Sequence, residues 1–160
     1  MHALIVGGDD VSYGQRPKDA KHWREKMLRE VKLDATRTHF LGKLPRAQYV
    51  KVLQVSAAHV YLTYPFVLSW SLLEAMACGA NIVASDTTPV REVIRDGVNG
   101  VLVPFFDAAA AAERSELALS GGQRNHLLRS LARQTAQRFA FDVCGQTYDQ
   151  LVAATASAPR

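Results

Sequence analysis

The sequence predicts an α/β fold with a parallel sheet, and the stretch from Ala58 to Pro104 carries the main evidence. Within it, AHVYLTY, NIVAS and GVLVP are short apolar runs rich in β-branched residues, as is typical of strands. Residues 68–78 are apolar at helical spacing and are followed by Gly79, a stop signal. A short helix, Val90–Arg95, is predicted before the third run. This βαβαβ order favours parallel strands covered on both faces.

Strands and helices alternate along the rest of the chain as well. The predicted upstream elements are the strands His2–Val6 and Thr38–Leu41 and the helices Asp19–Val31 and Arg46–Ser56. The predicted downstream helices are Asp107–Ser120, with Asp107 as N-cap, Gln123–Phe139 and Asp142–Ala154. The sequence therefore predicts a Rossmann-like parallel sheet of about five strands with helices on both faces.

Apolar spacing also predicts which helix faces are buried. Trp23, Met27 and Val31 follow i, i+4, i+8 spacing and predict the inner face of the first helix. The helix that begins at Gln123 has a second predicted inner face, formed by Leu127, Leu128 and Leu131. Both assignments rest on local periodicity alone.

Length and composition favour one domain, residues 1–156, with a tail at 157–160. The 160 residues are 48% apolar, enough to bury a core. The net charge of +4 suits a phosphorylated small molecule or an anionic surface, and it is too diffuse to indicate nucleic acid. Part of this charge lies on the helix that begins at Gln123, which carries Arg124, Arg129, Arg133 and Arg138. We interpret these arginines as a solvated or partner-facing surface, with membrane contact as the alternative.

The sequence contains no pattern typical of a metal site, a membrane span or a secretion signal. Cys78 and Cys144 lie far apart, and no Cys/His ligand spacing accompanies them. The apolar runs are too short to cross a bilayer, and the N-terminus lacks a signal-peptide pattern. We therefore expect a cytoplasmic protein without a bound metal.

Ligands of such sheets bind beyond the carboxyl ends of the strands. The turn Thr63–Ser71 places a helix N-terminus there, whose N–H groups and macrodipole favour phosphate oxygens. Ser69 and Ser71 add hydroxyl donors, and Glu74 could accept hydrogen bonds from a vicinal diol such as a ribose. These residues predict a nucleotide site.

Each acid near this edge also has a purely structural interpretation. Ser71 and Glu74 fit the spacing of a capping box, in which the glutamate serves only the helix, and spacing alone does not decide between cap and ligand. Asp86 is interpreted as a turn residue, and Glu92 as either a first-turn helix acid or a ligand.

Two other features are expected to be structural. The loop Gly7–Asp10 follows a strand but lacks a phosphate-binding glycine pattern, so we interpret it as a plain turn. His39 and His59 lie in predicted strands and are expected to be satisfied there by hydrogen bonds.

The segment SLLEAMACGANIVASDTTPVREVIRDGVNGVLVP resembles the nucleotide-sugar-binding region of retaining GT-B glycosyltransferases of the group 1 type. Upstream, VGGD after a strand and HFLGKL are similar as well. The resemblance extends from His2 to about Asp107, and its motif is long and specific. It implies half of a GT-B fold, the C-terminal domain that binds the donor.

The resemblance implies a role for individual residues. Glu74 matches the glutamate that binds the ribose hydroxyls, and the backbone amides of Leu72 and Leu73 match groups that approach the diphosphate. The other implied donor contacts are Lys43 and Leu44 beside the nucleobase, Phe66, Val67, Leu68 and Ser69 around the donor sugar, and Glu92 after the Ser85–Val90 turn.

The sequence departs from the family pattern in two respects. Phe66 occupies the position of a glutamate that reaches the donor sugar in the family. The family's first βα unit of this domain, which bears an Arg and a Lys for the diphosphate, and its N-terminal acceptor domain have no counterpart. We therefore expect a truncated donor domain that depends on a missing or separate acceptor domain.

The resemblance implies transfer of a sugar from a nucleoside diphosphate sugar with retention, without a cofactor or an obligatory metal. Alone, the chain is expected to bind nucleotide weakly and to transfer little or no sugar. A non-catalytic remnant, or a subunit that binds nucleotide or a separate acceptor domain, is the alternative. A nucleotide-sugar epimerase is disfavoured by LEAMACG and DGVNG.

Overall fold

The computed structural model describes residues 1–11, 14–64 and 67–156. Phe66 and the predicted tail at 157–160 lie outside the described residues. The chain divides into two compact units, Met1–Val52 and Leu53–Arg160. Each unit contains parallel strands and helices, so the predicted α/β class is confirmed.

The first unit contains a two-stranded parallel sheet. Strand β1 (Ala3–Val6) pairs with β2 (Thr38–Gly42) from Ala3 opposite Thr38, with an irregularity between Ile5 and Val6. Helix α1 (Trp23–Glu30) lies between the two strands in the chain, and α2 (Arg46–Val55) follows β2. The unit boundary falls within α2.

The predicted inner face of α1 is wrong. Trp23, Met27 and Val31 are 47%, 42% and 52% exposed, and none of the residues of α1 is buried. Polar contacts hold this region instead: the Trp23 indole N–H donates to the Gln15 carbonyl at 3.0 Å, and Arg29 donates to the Asp19 carbonyl at 2.8 Å. Periodicity marked an apolar face, but burial depends on what packs against it.

The second unit is built on three parallel strands in the order β3–β4–β5. Strand β3 is Ala58–Tyr61, β4 is Asn81–Ser85 and β5 is Val101–Val103. The helices are α3 (Trp70–Cys78), α4 (Thr88–Arg91), α5 (Ala108–Leu119), α6 (Gln123–Gln137) and α7 (Phe141–Ala156). No helix among the described residues combines the length and apolar character that crossing a bilayer requires.

Strand β4 is the centre of this unit, and all five of its residues are buried. Val83 packs with Val103 of β5 and Ala118 of α5 in one apolar cluster. Ile82 lies on the opposite face, where a Cβ at Gly100 would come within 3.3 Å of the Ile82 Cβ. Because both faces of β4 are covered, its sequence is a continuous apolar run rather than an alternating one.

Helix ends follow the sequence signals more closely than helix faces do. The Asp107 carboxylate accepts from the Ala110 N–H at 2.9 Å, so the predicted cap of α5 is confirmed. On α6, Leu128 is buried as predicted, whereas Leu127 is 58% exposed and does not belong to the inner face.

Asn99 joins the turn before β5 to α6. Its Oδ1 accepts from the Arg95 N–H at 2.7 Å, and its Nδ2 donates to the Val93 carbonyl at 2.9 Å and to the Thr135 Oγ1 at 3.0 Å. The side chain is buried, so each of these bonds replaces water that the folded chain excludes. The asparagine of the DGVNG segment is therefore a structural residue.

Replacing Asn99 with Ala should lower the free energy of unfolding by about 2–4 kcal/mol, because three buried hydrogen bonds are lost. Urea unfolding measures this change. Thr135→Val is the matched control, because it removes one of the three partners and should cost about 1 kcal/mol. Equal losses in the two variants would contradict the central role of Asn99.

Candidate donor-binding site

A buried serine joins the carboxyl ends of β3 and β4. Ser85 is the last residue of β4; its Oγ accepts from the Thr63 N–H at 3.0 Å and donates to the Thr63 carbonyl at 2.9 Å. Ser85 is fully buried, so no water competes for these bonds. The chain that leaves β3 is thereby fixed beside the end of β4.

The same edge of the sheet fixes the start of α3. Tyr61, the last residue of β3, is 8% exposed, and its hydroxyl accepts from the Ser69 N–H at 2.9 Å. Ser69 is the N-cap of α3. A strand side chain therefore holds the helix N-terminus at the carboxyl edge, where ligands of parallel sheets bind.

The identity of this N-cap removes the capping-box interpretation of Glu74. The Ser69 Oγ accepts from the Ser71 N–H at 3.3 Å, and the helix begins at Trp70. A capping box from Ser69 would need an acid at the third helical residue, which is Leu72. Glu74 is the fifth helical residue, too far along the helix to complete the box.

Ser71 and Glu74 lie on one face of α3, because residues three apart on a helix are neighbours. Both are half-buried, and the Ser71 hydroxyl is 3.0 Å from the Ser69 hydroxyl. The positive end of the helix dipole and two hydroxyl groups suit phosphate oxygens, and a carboxylate one turn later suits hydroxyl donors.

The other residues predicted to contact the donor near α3 differ in how far they are buried. The side chain of Leu72 is fully buried, and its N–H donates to the Ser69 carbonyl at 3.2 Å, within the first turn of the helix. Leu73 and Leu68 are half-buried, and Val67 is exposed. Phe66 lies outside the described residues, so the loop expected around the donor sugar is described only from Val67 onward.

Two arginines of α6 bind the other end of α3. The Arg133 Nε donates to the Ala77 carbonyl at 3.0 Å, and the Arg129 Nε donates to the Gly79 carbonyl. Gly79 adopts the left-handed conformation, φ 78°, that ends a helix. The prediction of a solvated or partner-facing surface is therefore wrong for Arg129, which is half-buried against this helix C-terminus. Arg133 is exposed to solvent, as predicted, and also donates to a carbonyl there.

The pKa of the Cys78 thiol, near this helix end, depends on burial and on two neighbouring charges. Burial raises the pKa of Cys78, the Glu74 carboxylate adds to the rise, and the Arg133 guanidinium opposes it. The raised pKa favours the thiol form of Cys78 over the nucleophilic thiolate.

Asp86 and Arg91 close the turn after β4. Both carboxylate oxygens of Asp86 accept from Arg91: Oδ1 accepts from Nε, and Oδ2 accepts from Nη2 at 2.7 Å. This fork lowers the pKa of Asp86, with the hydrogen bond from Arg91 as the largest cause. The geometry agrees with the interpretation of Asp86 as a turn residue.

Glu92 lies at the C-cap of the short helix α4. It lines a groove of about 440 Å³ together with Asn99, Thr135 and Arg138. The described lining of this groove includes no residue of α3. A donor contact by Glu92 stays a prediction.

In the first unit, Lys43 and the loop after β1 lie together. The Lys43 Nζ is 3.9 Å from the Asp10 carboxylate, and a Cβ at Gly8 would come within 2.5 Å of the Lys43 Cε. Arg24 donates to Asp9 at 3.3 Å. Two carboxylates in this loop make it a poor phosphate cradle. Lys43 is exposed and Leu44 half-buried, and their contact with a nucleobase stays a prediction.

The two strand histidines differ. The His39 Nε2 lies 2.9 Å from the His2 Nδ1, as expected of a satisfied strand residue. The His59 Nε2 is buried and has no hydrogen-bond partner among the described residues, so the expectation is wrong for His59. Burial lowers the pKa of His59, which favours the neutral ring.

With the site described, comparison with known proteins identifies the family. The profile of Glycosyl transferases group 1 matches residues 2–139. The chain belongs to this family. D-inositol 3-phosphate glycosyltransferase of Geodermatophilus obscurus is 44% identical over 88 residues, which are 54% of this chain and 18% of that protein.

Solved structures agree with this assignment. Anabaena Alr3699/HepE in complex with UDP matches with a TM-score of 0.75 and 25% identity, over 98% of this chain and 40% of that chain. Sucrose-phosphate synthase from Thermosynechococcus elongatus matches with a TM-score of 0.71 and 27% identity, over 94% of this chain and 38% of that chain. This chain therefore spans less than half the length of each of these three proteins.

The N-cap assignment in this group 1 chain predicts unequal effects of two serine substitutions. Ser69→Ala should lower the free energy of unfolding by about 0.5–2 kcal/mol, because the cap of α3 is lost. Ser71→Ala, at the second helical residue, should change it by a few tenths of a kcal/mol, roughly the range of helix propensities. Urea unfolding distinguishes them. A larger loss of unfolding free energy in Ser71→Ala than in Ser69→Ala would instead support the capping box formed by Ser71 and Glu74.

The fork between Asp86 and Arg91 predicts a pH dependence. The pKa of Asp86 is depressed in the folded chain, so its stabilising contribution is present above the unfolded pKa of about 3.9 and is lost as pH falls through the folded value. The difference in free energy of unfolding between wild type and Asp86→Asn should therefore be constant from about pH 5 to 7 and shrink below about pH 4.

Arg91→Gln is the matched variant for this measurement, because it removes the same fork from the other side. The difference between wild type and Arg91→Gln should have the same pH dependence. A difference that persists unchanged at low pH in both comparisons would show that the fork is not the cause.

Proposed function

We propose that this chain forms the donor-binding part of a glycosyltransferase that moves a sugar from a nucleoside diphosphate sugar to an acceptor with retention of anomeric configuration. The observation that carries the proposal is the N-terminus of α3, held at the sheet edge by Tyr61 and bearing Ser69, Ser71 and Glu74. Membership of the Glycosyl transferases group 1 and the likeness to a structure in complex with UDP support it.

The diphosphate is assigned to the N-terminus of α3. The helix dipole carries about half a positive charge there, and the Ser69 and Ser71 hydroxyls can donate to phosphate oxygens. In glycosyl transfer the diphosphate leaves with developing negative charge. Donors that are already in position stabilise this charge without reorganisation and without a metal ion or cofactor.

The ribose is assigned to Glu74. An ionised carboxylate has two oxygens and only accepts, so it can take hydrogen bonds from both hydroxyls of a vicinal diol. Glu74 follows Ser71 by three residues on the same helix face, and three residues rise about 4.5 Å along a helix. This separation is of the size that divides a diphosphate from the hydroxyls of the adjoining ribose.

The remaining contacts in the proposal follow the family resemblance. Lys43 and Leu44 would adjoin the nucleobase, and Phe66 and Glu92 the donor sugar. An acceptor-binding domain, separate from the residues described here, would complete the enzyme. We therefore expect the chain alone to bind nucleotide weakly and to transfer little or no sugar, so nucleotide binding is the measurement that tests the proposal.

Replacing Glu74 with Gln should weaken UDP binding by about tenfold or more, because hydrogen bonds to a charged acceptor are lost. Isothermal titration calorimetry of both proteins with UDP, GDP and ADP measures this and ranks the nucleotides. Glu116→Gln is the control: it removes the same charge from an exposed position on α5 and should leave affinity unchanged.

A second ligand makes the assignment to the ribose specific. Wild type should bind 2′,3′-dideoxy-UDP about tenfold or more weakly than UDP, whereas Glu74→Gln should bind the two about equally. If Glu74→Gln retains the preference for UDP, Glu74 does not bind the ribose. Absence of any nucleotide binding by the wild-type chain would overturn the proposal.

A further inference from the structure

Three aromatic rings contact one another at the carboxyl edge of the three-stranded sheet. Tyr64 lies shortly after β3, and Phe105 and Phe106 lie shortly after β5. The ring centroids of Phe105 and Phe106 are 4.9 Å apart at an interplanar angle of 90°, and the Tyr64 ring lies 5.5 Å from Phe105 and 6.0 Å from Phe106. These separations are those at which aromatic rings attract one another. We call the three residues the aromatic cluster.

The aromatic cluster spans the end of β4. Strands β3 and β5 pair with opposite edges of β4, so they are about 10 Å apart. On the β3 side, the Ser85 hydroxyl bonds to the backbone of Thr63. On the β5 side, the Asp86 N–H donates to the Val103 carbonyl at 2.7 Å. The loops that carry the rings are therefore anchored on both sides of β4, and the ring contacts join them across it.

Two of the three rings are open to solvent. Tyr64 is 63% exposed and Phe106 is 83% exposed, whereas Phe105 is half-buried. A single exposed phenylalanine is ordinary on a protein surface, but rings that contact one another form a contiguous apolar patch, and such patches mark interaction sites. The N-terminus of α3 is held at the same edge by Tyr61. The aromatic cluster and the proposed donor site therefore lie at one edge of one sheet.

Charged residues accompany the rings at this edge. Phe106 is followed by Asp107, which is exposed and caps α5. Asp86, directly after β4, forms its fork with Arg91, and both side chains are partly exposed. These charges would lose water if the rings entered the hydrocarbon of a bilayer, which is costly. We therefore expect a small partner that offers an apolar face to the rings and polar groups around it.

We propose that the aromatic cluster binds the ring of a pyranose sugar. One face of a pyranose presents C–H groups, which suit the electron-rich face of an aromatic ring, and its edge carries hydroxyls that both donate and accept. A pyranose ring is similar in size to the phenyl ring of Phe106, so one exposed ring covers one sugar. The choice of a sugar rests on the proposed function, and the sugar belongs either to the donor or to the acceptor.

NMR titration of the complete chain, with labelled phenylalanines, tests the proposal with the methyl α-glycosides of glucose, mannose and galactose. The Phe105 and Phe106 resonances should shift saturably with at least one glycoside, at millimolar affinity because only one face of the sugar is covered. Phe106→Ala should weaken this binding by about tenfold or more. Phe106→Tyr keeps the aromatic face and should bind like wild type, whereas Phe106→Leu should bind as weakly as Phe106→Ala.

Phe141→Ala is the matched control for Phe106→Ala. Phe141 is 94% exposed on α7, so both variants lose an exposed phenyl ring from the same kind of environment. Phe141→Ala should leave glycoside affinity unchanged. Thermal unfolding of both variants should resemble that of wild type, because exposed side chains contribute little to stability. A loss of glycoside binding in Phe106→Ala alone then assigns the binding to the aromatic cluster.

Two further titrations identify the source of the sugar. If the aromatic cluster receives the sugar of the donor, the preferred UDP-sugar should bind more tightly than UDP in wild type and equally tightly in Phe106→Ala. If it receives a sugar of the acceptor, the free glycoside should bind equally well with and without a saturating UDP-sugar. Either result supports sugar binding by the aromatic cluster.

Three results would overturn the proposal. The first is no saturable shift of the Phe105 and Phe106 resonances with any of the glycosides. The second is an equal loss of glycoside affinity in Phe106→Ala and Phe141→Ala. The third is tighter binding of uridine or of phosphatidylcholine vesicles to the aromatic cluster, which would identify a nucleobase or a membrane as its ligand. Glycoside binding by a chain that binds no UDP would contradict the proposed function and leave the aromatic cluster as a sugar site.

Discussion

The hydrogen bond from the Ser69 N–H to the Tyr61 hydroxyl fixes the candidate donor site. Tyr61 is buried at the end of β3, so the position of its hydroxyl follows from the packing of the sheet. Ser69 then caps α3, and the positions of Ser71 and Glu74 follow from helix geometry. One contact between a strand and a helix therefore sets the geometry of every candidate donor-binding group on α3.

The two ends of α3 differ in the charge of the side chains that contact them. At the C-terminus, Arg129 and Arg133 donate to the Gly79 and Ala77 carbonyls, and charges placed there stabilise a helix by about 0.3–1 kcal/mol each. At the N-terminus, the hydroxyls of Ser69 and Ser71 are neutral. Two guanidinium groups therefore compensate the negative end of the dipole, whereas the described residues at the N-cap and in the first turn offer neutral hydroxyls, an arrangement that suits an anionic ligand.

Local signals in the sequence predicted the parts of the fold that depend on nearby residues. The apolar run NIVAS gave β4 its observed bounds, and Asp107 caps α5 as its spacing indicates. The spacing of Ser71 and Glu74 left a capping box open as one interpretation, because the choice of Ser69 as N-cap depends on Tyr61, eight residues earlier and on another element. The contacts of Arg129 and Arg133 with α3 also join residues about 50 positions apart, beyond the reach of any local pattern.

Site residues were harder to predict than elements, because ligand-binding and structural residues share the same motifs. In the DGVNG segment, Asn99 bonds to α6, and the Asp96 carboxylate accepts from the Leu102 N–H at 2.9 Å. For Glu74 the opposite holds: its spacing from Ser71 fits a capping box, but the helix begins after Ser69 and the box does not form. For Asn99 and Asp96 the deciding observation is that the side chain completes hydrogen bonds within the fold, and for Glu74 it is the position of the N-cap.

Hydrogen bonding of the side chains within the fold also distinguishes the two ends of β4. Ser85 both donates and accepts, so the carboxyl end of the strand is satisfied within the protein, and a donor at that edge would contact α3 instead. Asn81 uses both donors on carbonyls and leaves its acceptor without a partner among the described residues. A buried polar atom normally has a partner. The two ends of β4 therefore differ: the Ser85 side chain completes its hydrogen bonds within the fold, whereas the Asn81 side chain keeps a buried acceptor that no described residue satisfies.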